Sequence, residues 1–117
     1  MSANQVLLVA NASEELAGIL RSASWEIRPA QSLHEALTQL SAQSAPVVIC
    51  ERALADGEWK DLLGKTPRLI VTSRVTDEAL WAEVLNLGGY DVLAQPFDAE
   101  EVRRVVALAG GLPETLS

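Results

Sequence analysis

The chain has 117 residues, with nine Lys and Arg against sixteen Asp and Glu, for a formal charge of −7. That balance disfavours non-specific nucleic-acid binding, which draws on a basic surface. A hydrophobic share of 49% excludes a disordered chain, and the length suits one domain with its own core. A lone cysteine, Cys50, excludes an internal disulfide and fits a reducing compartment. No charged stretch followed by an apolar one opens the sequence. Apolar runs such as Val6–Ala10 and Pro46–Cys50 are far too short to span a bilayer. The expectation is a cytoplasmic protein with no membrane contact.

The elements alternate in chain order. Val6-Leu7-Leu8-Val9 predicts a first strand, and Asn11-x-x-Glu14 opens a helix carrying Leu16, Ile19 and Leu20. Trp25–Arg28 is a weaker strand, and Ser32-x-x-Glu35 opens a helix with Ala36, Leu37 and Leu40. Val47-Val48-Ile49-Cys50 is a third strand. The stretch from Gly57 to Gly64 predicts one more short helix, stopped by Thr66-Pro67. Leu69-Ile70-Val71 is a fourth strand. Thr76, Asp77 and Glu78 open a helix whose core stripe is Leu80, Val84 and Leu87. Tyr90–Ala94 predicts a fifth strand, and Asp98-x-x-Glu101 opens a last helix with Val102, Val105, Val106 and Ala109.

Physical reasons support these starts and stops. A short polar side chain satisfies first-turn N–H groups, and an acid favours the positive end of a helix. Gly88-Gly89 and Gly110-Gly111 stand where C-caps belong. Strand runs with little polar alternation are those of a sheet buried on both faces. Five strands alternating with five helices predict an α/β, flavodoxin-like three-layer sandwich. Its five-stranded parallel sheet takes the order 2-1-3-4-5. The domain is expected over 1–109, with 110–117 a loose tail or linker stub.

In such sheets a site forms beyond the carboxyl ends of the strands. Those positions are Ala10, Asn11 and Ala12, then Glu51 and Arg52, then Thr72 and Ser73, then Gln95-Pro96. No Gly-x-Gly-x-x-Gly and no Gly-Lys-Ser is present to cradle nucleotide phosphates. One histidine and one cysteine make no zinc-type cluster, so neither a metal nor a cofactor is expected. His34 reads as a surface residue and Cys50 as a core thiol.

Five stretches carry a family resemblance. They are Pro46-Val-Val-Ile-Cys-Glu51 with Asp56-Gly57, Arg68-Leu-Ile-Val-Thr-Ser-Arg74, Asp77-Glu-Ala-Leu80, Leu87-Gly-Gly-Tyr-Asp-Val-Leu-Ala-Gln-Pro-Phe97, and Asp98-x-Glu-Glu-Val102. In order and spacing the chain resembles the receiver domain of bacterial response regulators, over about residues 4–109. Receivers take a phosphoryl group from a histidine kinase onto an aspartate after the third strand, with Mg²⁺ held by an acidic pair after the first. The resemblance puts the phosphoacceptor position on Glu51 and the acidic pair on Ala10 and Asn11. It puts the conserved hydroxyl on Thr72 and the conserved lysine on Gln95, before the retained Pro96-Phe97. The aromatic switch position falls on Val92.

These substitutions have physical consequences. Mg²⁺ asks for octahedral oxygen ligands and commonly one or two carboxylates, and Glu51 is the one carboxylate among these positions. Its extra methylene moves the oxygens by about 1.5 Å, where productive geometry holds to ~0.5 Å. Gln95 also removes a positive charge from a transferring phosphoryl group. The set reads as a neutralised pocket without metal, made of Glu51, Asn11, Thr72 and Gln95. Glu51 has two readings: a stand-in for a phosphorylated aspartate, or a tolerated polar side chain in an unused pocket.

Elsewhere, Trp81 and Leu85 are spaced i, i+4, off the core stripe of their helix, and predict a half-exposed apolar patch. The alternative is a broad core-facing stripe. Trp59 and Trp25 read as core, and Arg103-Arg104 as solvated charge. The leading expectation is a non-enzymatic signalling module of a phosphorelay, acting through protein contacts. Its partner would be a histidine kinase, an output domain or a second copy. The rival classes are a working phosphoacceptor that uses Glu51 or another residue, and a small flavodoxin-like enzyme or flavin carrier.

Overall fold

Five parallel strands form one sheet in the computed structural model, which describes residues 5–9, 14–66, 68–74 and 78–111. The chain runs β1 (Gln5–Val9), α1 (Glu14–Ser22), β2 (Glu26–Ala30), α2 (Leu33–Ala42), β3 (Val47–Glu51), β4 (Ala53–Leu54) and β5 (Gly57–Glu58). A 3₁₀ helix (Trp59–Leu62), β6 (Leu69–Ser73), α3 (Glu78–Asn86), β7 (Asp91–Ala94) and α4 (Ala99–Ala109) complete it. The sheet order is β2-β1-β3-β6-β7, the order that the alternation predicts. β2 and β7 are its edges. Pro29 sits in edge strand β2, where a missing N–H costs little, and that strand's half-exposed side chains explain its weak apolar signature.

Strand side chains alternate between two helix layers. Val6, Leu8, Val47, Ile49, Ile70 and Leu93 pack with α1 and α4, where Leu16, Leu20, Val102 and Val106 meet them. Leu7, Val9, Val48, Cys50, Leu69 and Val71 pack with α2, the 3₁₀ helix and α3 on the other face. Burial on both faces is why these strands read as unbroken apolar runs. Trp25 and Trp59 are core residues, one in each layer. His34 is exposed on α2.

Two expectations need correction. First, four α-helices form among the described residues, not five helices of one kind. After β3 the chain spends its residues on an antiparallel hairpin, β4 with β5, turning at Ala55-Asp56. Only a 3₁₀ turn then fits before Leu63 becomes extended and Gly64 turns at φ +79°. Gly57, at φ +154°, is required there: a Cβ would collide with the Leu33 side chain and the Asp61 carboxylate. Asp61 in turn accepts from the Glu58 N–H at 3.2 Å and fixes the start of the 3₁₀ turn.

Second, Leu87 is not in the core stripe of α3; it is 48% exposed. The helix stops at Asn86 and Gly88 turns the chain at φ +103°. Gly89, whose N–H donates to the Val84 carbonyl at 2.8 Å, then takes the close position against Val84 and β6 that Leu87 was expected to fill.

The caps agree with the sequence signals where they are described. The Ser32 hydroxyl accepts from Glu35 N at 3.1 Å, and Asp98 accepts from Glu100 N at 3.0 Å. Asn11, Thr76 and Asp77, expected to cap α1 and α3, lie outside the described residues, as does the expected tail from residue 112.

Candidate functional site

The site is built where β3, β6 and β7 end. Register places Glu51 beside Thr72, Thr72 beside Leu93, and Ser73 beside Ala94. Because side chains alternate, Glu51, Thr72 and Gln95 share the side of the sheet that carries α1 and α4. Main-chain bonds continue past the ladders: Arg52 N donates to the Thr72 carbonyl at 2.9 Å, and Gln95 N to the Ser73 carbonyl at 3.0 Å. These bonds fix three strand ends at one level. The Gln95–Pro96 peptide is cis.

Between the strand ends lies a cleft of about 240 Å³, lined by Glu51, Arg52, Ala53, Thr72, Ser73, Arg74 and Gln95. Thr72 and Ser73 are buried, Glu51 and Gln95 are half-buried, and the two arginines are exposed at the rim. Three of the expected pocket residues, Glu51, Thr72 and Gln95, therefore come together. Pro96 is exposed and does not line the cleft. Ala10 and Asn11 lie outside the described residues. Val92 pairs with Val71 and packs with the α2–α3 layer, on the opposite face of the sheet from Glu51.

Arg52 was expected among the strand-end positions and Arg74 was not, neither with a role, and these two set the sign of the described lining. Glu51 contributes one negative charge and the arginines two positive ones, so the described lining sums to +1 on a chain of −7. The signal was available: both arginines immediately follow strand-end positions. Isolated cations at strand ends carry no periodicity, however, so nothing in the pattern gave them a role.

The neighbouring titratable groups are structural. Burial, then the Glu51 charge, pushes the Cys50 thiol up to about 12, so at neutral pH it is protonated. Its Sγ donates to the Glu51 carbonyl at 3.1 Å. Asp56, at the hairpin turn, accepts from Leu33 N at 2.9 Å and His34 N at 3.0 Å. Those two backbone bonds to the first turn of α2 hold its carboxyl below the usual carboxylate range.

A second feature lies on α3. Trp81 is 52% exposed and Leu85 38%, as their spacing predicts, and Leu87 extends the patch. Beside it, a groove of about 520 Å³ runs from Arg52 along Leu80, Glu83 and Leu87. Lys60 pairs with Glu83 at 2.7 Å and lies 6.0 Å from the Trp59 ring.

No family model matches the sequence, and no curated protein does. Solved structures match the fold closely. A structure from Chloroflexus aurantiacus J-10-fl described as a response regulator has a TM-score of 0.84 and 26% identity, covering 92% of this chain and 98% of its own. The receiver domain of the sensor histidine kinase PA1611 from Pseudomonas aeruginosa PAO1, with a magnesium ion coordinated in its active-site cleft, has a TM-score of 0.80 and 16% identity, covering 94% and 99%. The beryllofluoride-activated NtrC4 receiver domain dimer has a TM-score of 0.82 and 20% identity, covering 92% and 97%. The fold of this chain is that of response-regulator receiver domains.

Proposed function

We propose that the chain is a receiver-type signalling module of a two-component system that works through protein contacts rather than by Mg²⁺-dependent phosphotransfer. The observation that carries this reading is the charge of the strand-end cleft: among the described residues that line it, one carboxylate, Glu51, stands with two arginines, Arg52 and Arg74. A divalent cation fits that donor set poorly, because it favours several anionic or neutral oxygens and is repelled by guanidinium groups. Among the described residues, no group of three His, Cys, Asp or Glu side chains could hold a metal ion. In the cleft Gln95 supplies an amide in place of the lysine that the family resemblance leads one to expect.

Thr72 keeps a hydroxyl in the cleft lining beside Glu51 and Gln95. The reading gives the domain no enzymatic step of its own. Its output would pass through a surface, and the exposed Trp81 and Leu85 on α3 are the apolar anchors for a kinase, an output domain or a second copy. The test is incubation with acetyl phosphate and Mg²⁺, followed by intact-protein mass spectrometry. The expected mass is unchanged. A hydroxylamine-sensitive gain of one phosphoryl group would instead establish a working phosphoacceptor.

A further inference from the structure

We propose that the β4–β5 hairpin is a strap latched onto α2 by Asp56, and that the latch couples the first turn of α2 to the wall of the strand-end cleft. The coupling goes beyond the signalling role and does not depend on how the cleft treats phosphoryl donors.

The strap has firm ends and a weak middle. At one end the Arg52 N–H donates to the Thr72 carbonyl of β6 at 2.9 Å. At the other, Trp59 is buried in the α2–α3 layer, and its N–H donates to the Arg52 carbonyl at 3.3 Å. Between them the hairpin pairs only Ala53 with Glu58 and Leu54 with Gly57. An isolated two-stranded hairpin is marginal in water. Ala53, Ala55, Asp56 and Glu58 are exposed, and within the hairpin only Leu54 packs against the core, half-buried. Apolar burial therefore holds residues 53–58 weakly.

What holds them is polar and distant in sequence. The Asp56 carboxylate accepts from Leu33 N at 2.9 Å and from His34 N at 3.0 Å, one oxygen to each. First-turn N–H groups have no partner within their own helix, and the positive helix end favours a carboxylate. Ser32 satisfies the Glu35 N–H, so the start of α2 is closed partly by its own cap and partly by the strap. The contact is close as well as polar: a Cβ at Gly57 would collide with the Leu33 side chain, which is itself buried. Release of Asp56 strips two donors from α2 and unpacks Gly57 from Leu33 in one motion. Latched and released are thus two distinct states of the strap.

The coupling follows from what the strap lines. Arg52 and Ala53 belong to the cleft wall, and Arg52 also borders the groove along α3. The path from α2 to the cleft is continuous. It runs from the Leu33 and His34 N–H groups through the Asp56 carboxylate and the Ala53–Glu58 pair to Arg52, which is bonded to Thr72. Gln31, His34 and Glu35 are exposed and leave the start of α2 open to a protein partner. A partner that binds one state of that turn more tightly shifts the strap, and with it the cleft wall, by its differential affinity.

The test follows amide shifts and hydrogen exchange in the full chain, for wild type, Asp56→Ala and Ser32→Ala. Asp56→Ala should exchange about tenfold faster at Leu33, His34 and residues 53–58, and should shift the amide signals of Arg52, Ala53 and Thr72. Ser32→Ala removes the helix's own cap and leaves the strap. It should speed exchange at Glu35 and leave Arg52, Ala53 and Thr72 in place. Protection in β1 and β3 should hold in both variants. Asp56→Asn keeps one oxygen for a single N–H and should fall between wild type and Asp56→Ala; it carries the same comparison if Asp56→Ala does not fold. Changes confined to residues 31–35 and 55–57 overturn the proposal, because the latch is then local to α2. So does a Ser32→Ala protein that moves Arg52 and Ala53 as far as Asp56→Ala does, since helix fraying then explains both. Loss of protection in β1 and β3 overturns it as well, by making release a global unfolding. No phosphoryl donor is present, so none of these outcomes bears on the acetyl phosphate test.

Discussion

The loop that follows β3 and the helix α3 pack on the same face of the sheet, yet they treat their aromatic residues in opposite ways. The loop buries Trp59 to 1% exposure and is tied at three points. Asp56 bonds the first turn of α2, Gly57 lets Leu33 and Asp61 close over the chain, and Leu62 joins Trp59 in the core. α3 buries Leu80 and Val84 and leaves Trp81 and Leu85 exposed, with Leu87 exposed just past its end. Packing accounts for the first region completely. It does not account for the exposed Trp81 and Leu85 on a nine-residue helix, or for the exposed Leu87 just past its end, so their explanation has to come from something outside the fold.

The largest test of that contrast is Trp59→Ala. Removing a fully buried indole forfeits its transfer free energy and leaves a cavity, at a cost of about 3–5 kcal/mol. Urea denaturation should show the midpoint falling by that amount divided by the slope, with the slope unchanged. A loss under about 1 kcal/mol would mean that the loop is not part of the core, and the comparison would collapse.

How much of this was legible in the sequence differs between the same two regions. The sheet was readable because burial on both faces leaves apolar runs such as Val6–Val9 and Val47–Cys50, and the strand order followed from βα alternation. The hairpin was not readable. Ala53–Glu58 has no alternating pattern, and its structure is set by one close approach at Gly57 and one long-range bond from Asp56. Neither leaves a periodic trace. Leu87 misled for a related reason: it continues the spacing of Leu80 and Val84, but Gly88 ends the helix and hands its place to Gly89. At the cleft, Glu51, Thr72 and Gln95 could be placed by resemblance. Arg52 could be placed only as a strand-end position and Arg74 only within a resembling stretch, neither with a role, because a lone cation past a strand end looks the same whether it lines a cleft or faces water.

A smaller effect separates the tether from the core beneath it. Asp56 is solvent-facing, and its two bonds to α2 favour the ionised carboxylate, which is why its pKa is lowered. An acid whose folded-state pKa lies below the unfolded one stabilises the fold above the unfolded value. That contribution disappears as pH falls through the folded value. Asp56→Asn should therefore lower the unfolding temperature at about pH 7. The gap from wild type should begin to narrow once the pH drops below the ordinary Asp value of about 3.9 and close below the folded-state value. A gap independent of pH down to about 2 would show that the side chain's shape, and not its charge, ties the hairpin to α2.

The smallest effect on stability is expected where the apolar area is most conspicuous. Trp81 and Leu85 make an i, i+4 pair on the outer side of α3, and substituting both by alanine removes surface that the fold does not bury. Alanine is also a better helix former than tryptophan, which offsets part of any lost local contact. The W81A/L85A protein should match wild type to within about 0.5 kcal/mol in urea unfolding. Its binding to a partner or to a second copy, read by sedimentation over a range of concentrations, should weaken far more than its stability. Equal association with a large loss of stability would move the pair into the core of α3 and remove the reason to look for a partner there. Unchanged stability with weakened association would leave the helix with two separable jobs: Leu80 and Val84 hold it to the sheet, while Trp81 and Leu85 hold something else.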